Sequence, residues 1–149
     1  MAKIIQALLG GLLFGFILDY FLFLGLKLNY IDPLGVEVFF NVFFVDNQNY
    51  PVYFLVSIFL GYLLLYTPTT VKLPLSLLLF GAVFATLVPN VGKNLGEKIF
   101  MQKNVTLHNK KFTFKGDIYY IGRDTITFYD KELKKVIQLK KEELTDEVH

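Results

Sequence analysis

Ala7, Gly11, Gly15 and Asp19 stand four residues apart in an apolar run, so a helix would align them as three small residues ending in a carboxylate. Gly11-Leu12-Leu13-Phe14-Gly15 has the GxxxG spacing that lets a second helix backbone approach closely. A carboxylate within an apolar helix is costly unless paired, which makes Asp19 the leading candidate for chemistry in this chain. It could contact a neighbouring helix or a basic group on a partner, or it could carry an ion or a proton. One acid makes no relay, which favours the contact reading. Ser57 with Gly61, and Gly81 with Ala85, repeat the small-xxx-small spacing in two further apolar runs.

Other chemistries find less material. His108 and His149 each lack a neighbouring His, and cysteine is absent, so no zinc-type donor set, disulfide framework or thiolate nucleophile is expected. Ser57 and Ser76 lie in apolar runs without an adjacent His or a G-x-S-x-G turn. No GxGxxG or P-loop pattern occurs, so no nucleotide cofactor is expected. A net charge of +2 is too small to argue for nucleic acid. The expectation is a protein that is not an enzyme and needs no cofactor or metal.

The elements that must position these residues follow from an uneven division of charge. Seven of the Lys, Arg, Asp and Glu residues lie in 1–89 and 21 in 90–149. Residues 1–90 therefore read as a membrane domain, with crossings near 4–26, 50–66 and 71–88. The first has 23 residues, enough to traverse about 30 Å of hydrocarbon at about 1.5 Å per residue. It is too long for the apolar core of a signal peptide, and no A-x-A-like site follows, so a retained helix is expected. The other two are shorter, joined by Thr67-Pro68-Thr69-Thr70 as an antiparallel hairpin. Tyr20, Tyr30, Tyr50, Tyr53 and Tyr66 are the candidate interfacial anchors.

Lys27–Asn49 reads as a loop with a phenylalanine-rich centre, Val36–Val45. Ten residues are too few to span a bilayer as a helix. A helix would place Glu37 and Asn41 on one face, with Phe39, Phe40, Phe43 and Phe44 around the rest. An in-plane interfacial helix is the expectation, and a re-entrant or partner-buried segment the alternative. The lysine bias, with Lys27, Lys93, Lys98, Lys103 and Lys110 on one side against Lys3 and Lys72 on the other, places the C-terminal part in the cytoplasm. A bacterial inner membrane is the expected host.

Residues 91–103 form an amphipathic connecting helix in this reading, and 104–149 a small water-facing β-domain. Strands are expected near 104–108, 112–120, 125–129 and 135–139, with turns at Gly122-Arg123-Asp124 and Asp130–Leu133. Alternation predicts Ile118, Tyr120, Ile126, Phe128 and Ile137 as buried. The pairs Lys110-Lys111, Lys134-Lys135 and Lys140-Lys141 read as a solvated face tempered by Glu142, Glu143, Asp146 and Glu147, with anionic headgroups as the alternative. The fold class is thus membrane α+β: three transmembrane helices and a small antiparallel β-domain, either an SH3- or Sm-like barrel or an open sheet.

In strand rhythm, Lys115-Gly116-Asp117-Ile118, then Asp130 and Val136-Ile137-Gln138-Leu139, resembles the β-domain after the pore helix of small-conductance mechanosensitive channels. That family's dense Gly/Ala pattern is absent from the preceding helix, and no Pro-Asn pair follows Leu139. The likeness is one of rhythm, over about a quarter of the chain. The functional expectation is an accessory subunit docked by its helices on a larger membrane complex, such as a flagellar motor or stator, a respiratory assembly or a secretion apparatus. The alternative is a homo-oligomeric channel with Asp19 on its pathway. Expected partners are the lipid bilayer and other membrane subunits or copies of the chain itself.

Overall fold

A computed structural model describes residues 1–109 and 112–145. Lys110, Lys111, Asp146, Glu147 and His149 lie outside the described residues.

The first helix, α1 (Ala2–Leu26), does not stop where its apolar run ends. It continues through a π turn at Lys27–Ile31 and a 3-10 turn at Asp32–Leu34, giving 33 helical residues closed by Gly35 at φ 70°. The sequence alone predicts a loop from Lys27 onward. A π turn brings residues five apart into register, and Lys27 uses it to pair with Asp32. Tyr30 and Ile31, which looked like loop residues, are fully packed.

Four shorter helices follow: α2 (Phe40–Asn47), α3 (Tyr50–Tyr66), α4 (Thr69–Ala85) and α5 (Pro89–Phe100). The Asn49 side chain caps α3 by accepting the Val52 N–H, and Pro51 and Pro89 occupy first turns where a missing N–H costs nothing. Among the described residues, only α1 is by itself long and apolar enough to cross a membrane. α3 and α4, 17 residues each, meet that test only together with a helix bent sharply against them. The bend is 86° between α2 and α3 and 84° between α4 and α5. The phenylalanine-rich helix begins at Phe40, so Glu37 precedes it and does not share a helical face with Asn41, contrary to the sequence reading.

α3 and α4 both pack on α1. Leu18, Leu60 and Leu63 form the buried centre, with Phe14, Leu79 and Phe80 around them, and Phe14 and Phe80 meet edge-on at 4.8 Å. Beyond this bundle, α2 crosses α1 with Phe43 against Phe23. α5 crosses the α1 extension, where Gly92 and Gly96 allow it to lie on Asn29 and Tyr30. Asn29 donates to the Thr86 carbonyl at 2.9 Å and so fixes the α4–α5 elbow against α1.

The remainder is a four-stranded antiparallel open sheet in the order β1 (Gln102–His108), β2 (Thr113–Ile121), β3 (Thr125–Asp130), β4 (Lys135–Lys140). After β4 the chain turns back, and Leu144 bridges Asn109 while the Thr145 N–H donates to the His108 carbonyl. Leu107, Ile118, Ile126 and Phe128 form the core of one face, with Ile137, Leu139 and Leu144 packed against them. Ile137 is only half-buried, on the last strand.

Tyr120 does not join that core. A bulge between Ile118 and Tyr120 pairs Ile118 with Phe128 but Tyr120 with Thr127, and neighbours 127 and 128 point to opposite faces. The expectation of a shared face for Ile118 and Tyr120 is therefore wrong, because the extra residue reverses the alternation. Phe112 is likewise 62% exposed and precedes β2 instead of lining its core face. A second irregularity, in β1, leaves Asn104 at φ 56°. The Asp117 carboxylate accepts its N–H at 2.7 Å, and this bond, with Lys131 nearby, holds Asp117 below the usual carboxylate range.

Candidate functional site

The small-residue stripe of α1 faces α3 along its whole length. Ala7 lies against Gly61, and Gly11 against the Ser57 carbonyl and the Gly61 backbone. A Cβ at Gly11 would overlap that backbone, which is why glycine is needed here. Gly15 meets the Ser57 side chain and the Tyr53 ring, and the Tyr53 hydroxyl donates to the Leu12 carbonyl at 2.8 Å. Ser57 is fully buried, and its hydroxyl makes no hydrogen bond. Two spacings of four, one on each helix, thus mesh within a single chain.

Asp19 extends the stripe to the α2–α3 elbow, where its Oδ2 accepts a hydrogen bond from Gln48 Nε2 at 2.8 Å. Together they edge a crevice of about 190 Å³, bounded by Asn47, Asn49 and Tyr53 and by the apolar walls Leu18, Leu22, Val52 and Val56. Gly81 and Ala85 are not brought to this place. They lie on α4, which buries no residue, and nothing stands within 4 Å of where a Gly81 side chain would begin.

In the phenylalanine-rich segment, Phe43 is fully buried, whereas Phe39 is 81% exposed. Phe40 and Phe44 pack against Tyr20 and Phe16, while Glu37 and Asn41 are exposed. Phe43 belongs to an aromatic junction that joins all three layers, with its ring 5.6 Å from Phe23 and Phe100 and 5.9 Å from Tyr120. Ring pairs at such distances add about 0.5–1.5 kcal/mol each beyond their burial.

Polar bonds surround that junction. The Tyr30 hydroxyl donates to the Tyr119 carbonyl at 2.8 Å, and Asn47 Nδ2 donates to the Tyr120 hydroxyl at 3.2 Å. Arg123 grips the Asp46 carboxylate with two nitrogens at 2.7 and 2.6 Å, a bidentate geometry that fixes orientation as well as distance. Burial pushes the Tyr120 hydroxyl above the ordinary tyrosine value, so it sits there as a neutral phenol able to accept from Asn47. Spacing alone does not single out Asn47 or Gln48, and it gives Arg123 only a turn position. A usable signal was present in Asp46-Asn47-Gln48-Asn49, a polar cluster between two apolar helices.

Among the described residues, no three His, Asp or Glu side chains come together as a metal site. Comparison with protein-family models, with curated proteins and with solved structures gives no match.

Proposed function

We propose that this chain is a non-enzymatic accessory subunit of a larger membrane complex, holding a β-sheet in a fixed position at the membrane surface. The observation that carries this reading is the junction. Aromatic packing, hydrogen bonds from Tyr30 and Asn47 and a bidentate ion pair all tie the sheet to the helices, which supports a fixed placement. A scaffold needs that rigidity.

In this reading α1, α3 and α4 are three crossings, with α2 and α5 lying in the plane of the bilayer. A helix bent by some 85° from a crossing helix runs along the membrane surface. Lys27, Lys93, Lys98 and Lys103 gather at the end that carries the sheet, and Lys3 and Lys72 at the other, which supports a cytoplasmic sheet in a bacterial inner membrane. The α1 and α3 stripes are occupied by each other. The face of α4 at Gly81 is open, with Ala85 half-buried at its end, and is the docking surface toward a flagellar motor or stator, a respiratory assembly or a secretion apparatus. The rival reading, an oligomeric channel with Asp19 on the pathway, draws less support because Asp19 is bonded to Gln48 beside the occupied stripe.

Native mass measurement of the chain extracted in mild detergent tests this. The expected result is a fixed ratio of the chain to a different membrane protein, lost on Gly81→Leu while the chain itself stays folded. A homo-oligomer alone, conducting ions when reconstituted, would overturn the proposal.

A further inference from the structure

The crevice beside Asp19 has a consistent chemical character once its hydrogen bonds are counted. Gln48 uses an N–H on Asp19, leaving its carbonyl oxygen. Asn47 gives both N–H groups, to the Phe43 carbonyl and the Tyr120 hydroxyl, leaving its oxygen as well. The second Asp19 oxygen has no partner, and none of the described lysines or the arginine pairs with it. What remains at the crevice is the second carboxylate oxygen of Asp19, carrying one negative charge, among the carboxamide groups of Asn47, Gln48 and Asn49. The walls, including Leu22 and Val52, are apolar, and the crevice lies at the level of the α2–α3 elbow.

An uncompensated carboxylate in such a place is unfavourable, and the group that relieves it is a cation rich in N–H donors. We propose that this crevice binds the headgroup of an aminophospholipid, with the primary ammonium on Asp19. Its three N–H donors match the carboxylate and carboxamide oxygens. Asn49 and Val52, at the N-terminal end of α3 with its partial positive charge, line the same crevice. A zwitterionic headgroup suits that pairing, because its phosphate then lies toward the α3 terminus and its acyl chains along the apolar walls. A choline headgroup has the same phosphate and charge but no N–H, so the site distinguishes the two by hydrogen bonding and not by net charge.

The test is lipid retention by native mass spectrometry, after extraction from vesicles of equal phosphatidylethanolamine, phosphatidylcholine and phosphatidylglycerol. The ethanolamine lipid should be retained about tenfold over the choline lipid, the size expected of charge-assisted hydrogen bonds. Asp19→Asn should abolish that preference. Val52→Phe, which narrows the crevice at an exposed wall and leaves the carboxylate alone, should lower retention as well. Equal retention of the lipids by the wild type, or a preference that survives Asp19→Asn, overturns the proposal. So does an Asp19→Asn variant that sheds a protein partner with its lipid retention unchanged, because the cation then belongs to that partner. The inference rests on the membrane placement of the elbow proposed above, and the two tests stay distinguishable, since lipid retention follows Asp19 and partner loss follows Gly81.

Discussion

Gly10 and Gly11 are neighbours in sequence and opposites in environment. Nothing lies within 4 Å of a side chain begun at Gly10, whereas one begun at Gly11 runs into the α3 backbone. Gly11→Leu should therefore lower the unfolding temperature in detergent, by an overpacking cost of about 1–3 kcal/mol, while Gly10→Leu stays near wild type. Equal effects of the two would mean that α1 and α3 do not meet in this register. The spacing of Ala7, Gly11, Gly15 and Asp19 was legible because a helix aligns residues four apart. What covers the stripe was not legible, because spacing says a neighbour is close without saying whose it is. Ser57 and Gly61 carried the complementary spacing, and the pairing of the two stripes appears only in three dimensions. Asp19 was conspicuous for its charge, and Gln48 escaped notice because an uncharged amide between two helices looks like ordinary loop polarity.

Helix and strand positions followed the hydrophobic pattern to within about four residues in α2 and α4, and two larger departures occur where the backbone leaves its regular period. α3 has the predicted bounds, while α1 runs eight residues past its apolar run because a π turn and a short 3-10 turn carry Tyr30 and Ile31 inward. In β2 one extra residue turns Tyr120 away from Ile118 and toward the helices, and alternation counting has no means of detecting a bulge. The bulge is what gives the sheet two distinct attachments: a core of its own and an aromatic post in the junction. Substitutions on the two faces should then separate. Phe128→Ala should destabilise the sheet by about 3–5 kcal/mol and speed amide exchange throughout β2 and β3. Tyr120→Ala should leave β3 protected and speed exchange in α2 and the Lys27–Leu34 turns, where Asn47 and Phe43 lose their contact. Exchange rising in the same peptides for both variants would show that Tyr120 belongs to the sheet core after all.

At the scale of the molecule, the division between a charge-poor N-terminal part and a charge-rich C-terminal part corresponds to a helical layer and a sheet, with α2 and α5 between them. Among the described residues one helix meets the length and hydropathy of a crossing alone; α3 and α4 are about 25 Å each at about 1.5 Å per residue, short of the usual hydrocarbon thickness. Bilayers thin locally and flanking residues reach outward at modest cost, so helices of this length can still cross. In the proposed reading, α3 and α4 form a crossing hairpin whose tip lies on the opposite side of the membrane from the sheet. The chain has no cysteine, so single cysteines report without background. Thr70, exposed near the hairpin tip, and Leu133, exposed in the turn between β3 and β4, are suitable positions. With a membrane-impermeant thiol reagent applied from outside the inner membrane, Thr70→Cys should label in intact cells and Leu133→Cys only after the membrane is opened. Labelling of both positions from the same side would contradict the three-crossing architecture and, with it, the placement of the sheet.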